Sequence, residues 1–551
     1  MDWLKTAEQM TLDEKIGQML CTYVNDNEEV FAMARQGTIG ALYTYTPGNS
    51  VEEAVSWIND LQSQAKYPLM LCEDFEEGVV RFGTWLPSFM GIGATASTES
   101  AARAGRVIGR ELHALGFGLM GSPVVDVNTN PANPIINTRS FSSSPEWVSD
   151  LALAYIAAVE KEGVIATCKH FPGHGDSSID SHRELAVLRH SLARMEAVEL
   201  LPYTRAIQAG LKSIMTSHLA FPAIEADEHL PVTLSKNVLT GFLRQKMGFQ
   251  GLILSDAMEM HAIKKNFSPE EWTALAINAG IDMLIVSYPA QAHAAIKKGV
   301  QSGTIPEGKI KEAAARIARH KEQVMGGIRY PLDLTQAAAV IGSPEHAQIA
   351  AQIAADSVTC VGDPVNLPQI SANGGHILLV TFTNVVRTCQ NDAFKYTTGV
   401  LGIPDRRKVL VATEDSPGNS DKLDASLRFA RSMRQRLNDR LEVIHYDGQD
   451  LGWLREKVRR ASCTVILASV INQSYNPNSG KMPDAESQVC AALLQTGGRT
   501  VLVSAGNPYA VRHLSGQSST IFTYCLCPAS LEAAVRGLTG EMDFVGKLPI
   551  K

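Results

Sequence analysis

Short apolar runs recur through the first 330 residues, and between them apolar positions repeat at helical spacing. The runs at 16–23, 39–45, 69–74, 118–127, 164–170, 213–218, 252–256 and 283–287 predict eight strands. They read as continuous apolar runs rather than alternating ones, as parallel strands covered on both faces do. Eight β units separated by helices of about 10–15 residues predict an α/β fold, a (β/α)8 TIM-type barrel. Several runs end in polar residues, namely Asp74, Asp126, Lys169, His170, His218 and Asp256. Chemistry in such folds collects just past the carboxyl ends of the strands, so these residues predict an active-site rim and an enzyme.

The pattern breaks at 326–343, where Gly, Pro and turn residues predict a linker at 331–343 between a barrel at 1–330 and a second domain at 344–551. In that second domain a helix at 344–356 precedes strands at 377–382, 409–413, 441–446, 464–470, 500–505 and 521–525. Helices at 422–437 and 485–496 lie between them, which predicts an α/β sandwich. Residues 505–508 read as a strand-ending turn. No GxGxxG or Walker A follows a strand, so nucleotide binding and other cofactors are not expected.

Composition narrows the partners. The 551 residues carry a net charge of −7 and no basic block, which argues against nucleic acid and anionic membranes and predicts a small uncharged ligand. The amphipathic N-terminus lacks a signal-peptide pattern, and no apolar run of roughly 18 residues occurs. Nine scattered cysteines without a CxxC fit a reducing, cytoplasmic location. Cys168 and Cys463 read as small buried hydrophobes.

The most informative stretch is 164–185, VIATCKHFPGHGDSSIDSHREL. A single Lys or His is more often a solvated or satisfied residue, but 169–184 holds seven imidazole, ammonium and carboxylate groups: Lys169, His170, His174, Asp176, Asp180, His182 and Glu184. His170 and His174 have the spacing of a metal pair. Pro172 and Gly173 between them disfavour the helix that would put both on one face, so no metal is expected. Asp256 follows a strand in GLILSDAMEM, and Arg139 lies in the turn-rich NPIINTRSF.

With these pieces the chain resembles glycoside hydrolase family 3, in its β-N-acetylglucosaminidase branch. The resemblance runs through MTLDEKIGQML, PVVDVNTNPANPIINTRSF, KHFPGHGDSSIDSH, IMTSHLAFPAI, LSDAMEM, AGIDMLI and the closing GKLPI, and KHFPGHG followed by DSH is its most specific part. It implies a retaining exo-β-N-acetylglucosaminidase acting on peptidoglycan or chitin fragments, with Asp256 as nucleophile, His182 as acid/base and Asp180 as its partner. It also implies that Asp74, Arg139, Lys169, His170 and His218 hold sugar hydroxyls; Asp126 suits a ligand contact and a buried structural bond equally.

The chain departs from the family pattern after Asp74, where Glu77 and Val79 stand in place of a glycine and an arginine. The other main branch takes a glutamate acid/base from the second domain. The corresponding stretch here, NQSYNPNSGKMPDAESQ, holds no glutamate before Glu486, which favours the Asp180/His182 dyad. A phosphorylase using the same glycosyl-enzyme is an alternative, because a neutral histidine repels phosphate less than a carboxylate does. A β-glucosidase-like glycosidase, a metal-dependent hydrolase using His170, His174 and His218, and a sugar-binding protein without turnover are the others.

Overall fold

The structure, a computed structural model, describes residues 2–24, 27–44, 48–179, 184–362, 370, 374–382, 425–446, 448, 450–470, 481–514, 516 and 518–550. All eight barrel strands are present: Leu20–Tyr23, Ala41–Tyr43, Met70–Cys72, Leu119–Met120, Ile165–Phe171, Ser213–Thr216, Leu252–Leu254 and Leu284–Val286. They form two parallel four-stranded sheets. Single parallel bridges at Leu71–Phe117 and Leu254–Met283 join these sheets into a nearly closed barrel. The strands are short and almost wholly buried, as the continuous apolar runs require.

Two strand bounds differ from expectation. Residues Leu12–Gln18 are a helix, started by a capping box in which the Thr11 hydroxyl accepts from Glu14 N and the Glu14 carboxylate accepts from Thr11 N. The strand therefore begins only at Leu20. The run at 118–127 pairs as a strand over Leu119–Met120 alone. Pro123 interrupts it, having no N–H to give to a ladder. Val125 N still donates to Lys169 O at 2.9 Å, so the chain carries Asp126 alongside the strand Ile165–Phe171.

The second sheet has the order Thr359–Val361, Thr520–Phe522, Thr500–Gly506, Cys463–Val470, Ile377–Phe382, Leu441–Tyr446; its first pair is antiparallel and the rest parallel. The edge strand Thr359–Val361 was not expected. Three residues, one of them exposed, leave no apolar run to read. The expected strand at 409–413 lies outside the described residues. Alternation along the central strands builds an apolar layer on each face. Leu379, Val465 and Val503 meet the helices Pro344–Ser357, Ala425–Leu437 and Pro528–Leu538; Leu378, Ile466 and Leu502 meet Leu451–Arg460 and Asp484–Leu494. Cys168 and Cys463 are buried in their strands.

Residues 331–343 carry the helix Leu334–Val340, whose Ala337 packs into the barrel core. Leu332 N donates to Asn59 Oδ1 at 2.6 Å. The sandwich is bonded to the barrel elsewhere too: Ser88 Oγ donates to Tyr524 O at 2.9 Å and Ser142 Oγ to Pro549 O at 2.6 Å. Among the described residues no helix is long and apolar enough to cross a membrane.

Candidate active site

The polar residues that end the strands converge on the carboxyl-terminal face of the barrel. Lys169, at the end of the fifth barrel strand, is 1% exposed, and its ammonium bonds Asp74 Oδ1 and lies 2.8 Å from Glu76 Oε1. Arg139 grips Glu76 with two parallel bonds, Nε to Oε2 at 2.8 Å and Nη2 to Oε1 at 2.7 Å, the fork geometry that makes such pairs directional. Burial alone would raise the Glu76 pKa, but Arg139 and Lys169 outweigh it and hold the carboxyl well below its usual range. For Lys169, burial works against the charge while Asp74 and Glu76 sustain it, and the net shift is upward.

Asp74 also accepts from the Tyr43 hydroxyl. Its carboxylate is 34% exposed, unlike the lysine behind it, so its outer edge faces the opening. Gly121 makes this approach feasible: a Cβ there would collide with Tyr43 Oη and crowd Asp74 Oδ1.

His170 is fixed from both sides. Nδ1 lies 2.8 Å from Asp126 Oδ2 and Nε2 lies 3.4 Å from Arg139 Nη2. A guanidinium only donates, so Nε2 accepts and the ring proton sits on Nδ1. Asp126 is fully buried and also accepts from the backbone N–H groups of His170, at 3.3 Å, and His174, at 2.6 Å. Burial opposes its ionisation, but His170 and His174 prevail and lower its pKa. Of its two readings, the buried structural bond is the one this geometry displays. The Lys169–His170 and Phe171–Pro172 peptide bonds are cis. Gly175 lets the following loop lie against the Val127 carbonyl, which a Cβ would strike.

Asp256 stands just past the strand Leu252–Leu254, and its Oδ1 accepts from Ala257 N at 2.7 Å. The Tyr23 ring lies 5.5 Å from that of Tyr43; burial first, then the charges of Asp256, Glu73 and Asp74, push its pKa well up. His218 is buried, with Nδ1 2.9 Å from Thr233 Oγ1 and Nε2 2.9 Å from Ala257 O. In this structure it anchors the backbone that follows the nucleophile candidate. Asp180 and His182 lie outside the described residues. Upstream of them, Asp176 Oδ2 is 2.6 Å from His190 Nε2 and its Oδ1 accepts from Thr129 Oγ1 at 3.0 Å. His170 and His174 have ring centroids 6.3 Å apart, and among the described residues no group of three His, Cys, Asp or Glu side chains is arranged to hold a metal ion.

Sequence reasoning missed Glu76 and Tyr43. Glu76 had a local signal, an acidic residue in the turn after a buried strand, but its partner Arg139 is 63 positions away. Also unexpected is the reach of the second domain. Asn128 Nδ2 donates to Tyr509 Oη at 2.9 Å and Asn128 Oδ1 accepts from Asn137 N at 3.2 Å. Asn128 thereby links the sandwich to the turn that presents Arg139.

The arrangement offers a half-exposed carboxylate at Asp256, a charged hydrogen-bonding cradle at the same rim and buried groups that fix both. Comparisons with known proteins agree with it. The Glycosyl hydrolase family 3 N terminal domain matches residues 11–320. A β-N-acetylglucosaminidase/β-glucosidase of Cellulomonas fimi is 28% identical over all of this chain and 95% of its own. β-Hexosaminidase A of Pseudoalteromonas piscicida is 31% identical over 66% of this chain and 63% of its own. Among solved structures, a glycoside hydrolase family 3 β-N-acetylglucosaminidase from Paenibacillus sp. str. FPU-7 superposes with a TM-score of 0.81 at 25% identity, covering 98% of this chain and 99% of that one. A β-glucoside phosphorylase bound to 2FGlc shares the fold with a TM-score of 0.84 at 24% identity, over 100% of this chain and 96% of its own. Barrel, site and relatives together place this chain, a glycoside hydrolase, in glycoside hydrolase family 3.

Proposed function

We propose that the protein is a retaining exo-β-N-acetylglucosaminidase that releases N-acetylglucosamine from peptidoglycan or chitin fragments. The observation that carries this reading is Asp256, delivered half-buried to the same barrel rim as the Asp74, Lys169, Glu76 and Arg139 cradle. The relatives named as β-N-acetylglucosaminidase and β-hexosaminidase support the glycone.

Asp256 attacks the anomeric carbon, the glycosidic C–O bond breaks, and a glycosyl-enzyme forms through an oxocarbenium-like transition state. The leaving oxygen takes its proton from His182, with Asp180 orienting the imidazole; His182 then deprotonates the water that releases the sugar. Asp74 accepts hydroxyl protons of the non-reducing sugar. Lys169 and Arg139 donate to its oxygens and keep the surrounding carboxylates ionised. His170, held by Asp126, offers Nε2, and His218 steadies the nucleophile loop.

The test is incubation with an aryl β-N-acetylglucosaminide, with and without phosphate, and identification of the sugar product, alongside Asp256→Ala. Free N-acetylglucosamine under both conditions and no turnover by the folded variant is the expected result. The sugar 1-phosphate would instead identify a phosphorylase, and a faster aryl β-glucoside a glucosidase. Near wild-type turnover by Asp256→Ala would overturn the nucleophile assignment.

A further inference from the structure

The segment that presents Arg139 is tied to the second domain at both ends. At its start, Asn137 N donates to Asn128 Oδ1 at 3.2 Å, and Asn128 Nδ2 donates to Tyr509 Oη at 2.9 Å. At its end, Ser142 Oγ donates to Pro549 O at 2.6 Å, and Ser142 O accepts from Asn128 N at 3.2 Å. Arg139 lies between these points, in the single helical turn Asn137–Arg139.

The start of this segment needs an outside hold. Asn137 has a φ of +41°, in the left-handed region that most residues avoid. Asn128 and Asn137 are each 1% exposed, so their polar groups depend on protein partners. Asn128 Oδ1 serves the Asn137 N–H in one orientation of the amide, and that orientation aims Nδ2 at the tyrosine. Without an acceptor there, the amide either keeps a buried NH2 unbonded or turns over and sets donor against donor at Asn137 N.

Tyr509 is itself firmly aimed. It follows the strand Thr500–Gly506, where Gly506 has a φ of +93° and a Cβ would strike Val470 O. Asn507 N donates to Val470 O at 2.8 Å, and Asn507 Oδ1 accepts from Tyr509 N at 3.0 Å. The strand-ending turn of the sandwich thus fixes the tyrosine relative to two central strands of its sheet. On the barrel side, Arg139 forks Glu76 and approaches His170 Nε2, and Glu76 meets Lys169. A shift of the Arg139 turn is therefore felt across the cradle.

We infer that Tyr509 of the second domain is a positioning residue for the sugar-binding cradle: through Asn128 and Asn137 it sets where the Arg139 guanidinium stands. The inference rests on the reading of Arg139 as a sugar-binding group of a glycosidase. It gives the sandwich a part in glycone affinity.

The test is Tyr509→Phe in the full chain, which removes the hydroxyl and keeps the ring. The substrate is whichever aryl glycoside, β-N-acetylglucosaminide or β-glucoside, wild type turns over, and its free sugar serves as competitive inhibitor. KM and the inhibition constant of the sugar should rise together by about fivefold, the worth of one neutral hydrogen bond, with kcat within about twofold. Loss of folded protein alone would lower kcat and leave both constants unchanged. Arg139→Lys keeps a cation for Glu76 but loses the fork. In that background Tyr509→Phe should change the inhibition constant by less than about twofold, because the group it positions is gone. An unchanged inhibition constant in Tyr509→Phe with a wild-type urea midpoint, or a full fivefold rise on top of Arg139→Lys, overturns the inference, while wild-type turnover keeps the glycosidase reading standing. If wild type turns over neither glycoside, both fall together.

Discussion

Glu77 follows Glu76 in the turn after the strand Met70–Cys72, and its carboxyl is in an unusual state. Burial, aided by the neighbouring Glu76 charge and only partly offset by the bond from Trp85 Nε1 at 2.9 Å, raises its pKa from 4.5 to about 7. Glu77→Gln keeps an oxygen for the Trp85 indole and removes the titration. Below about pH 4.5 both folded and unfolded chains hold the proton. Between 4.5 and 7 the unfolded chain releases it while the folded chain retains it, so wild-type stability falls as pH rises, and above 7 the whole penalty is present. At about 1.4 kcal/mol per unit the penalty has an upper bound of roughly 3 kcal/mol. Because Glu77 is only partly buried by area, solvent screening reduces the expected gain to about 1–2 kcal/mol. Urea unfolding of both proteins at pH 4.5, 6 and 8.5 reads this directly: the curves should coincide at the acid end and separate in favour of Glu77→Gln as pH rises. Parallel pH profiles, or a variant weaker at pH 8.5, would refute the reasoning.

Two further outcomes follow from the site. Lys169→Met leaves Asp74 and Glu76 facing each other without the buried ammonium that joins them; breaking a buried pair from one side costs about 3–5 kcal/mol, and denaturant midpoints near wild type would contradict this. His182→Ala should slow substrates with poor leaving groups far more than activated aryl glycosides, by a contrast of roughly 10²–10⁴-fold, with azide partly restoring the second step; equal losses without azide rescue would assign His182 to sugar binding and send the search for the acid to Glu184 or the second domain.

The sequence by itself determined the barrel, because a strand buried on both faces must be apolar at every position and eight such runs are visible. It also determined which residues reach the rim: Asp74, Asp126, Lys169, His170, His218 and Asp256 all follow from strand ends. It was less able to bound the elements. The strand expected at 16–23 overlaps the helix Leu12–Gln18, whose start is set by the Thr11/Glu14 capping box; the three-residue edge strand Thr359–Val361 has no run at all.

What tertiary structure alone decided was partnership. That Glu76 receives the Arg139 fork, that both His218 nitrogens are engaged at Thr233 and Ala257, and that Tyr509 supports Asn128 across the two domains are facts about side chains 15 to 381 positions apart. Local pattern encodes burial and strand direction, because each residue meets its own neighbours and the core. It does not encode which polar groups meet past the strand ends, where loop paths from different β units converge and hydrogen-bond geometry chooses among several candidate partners.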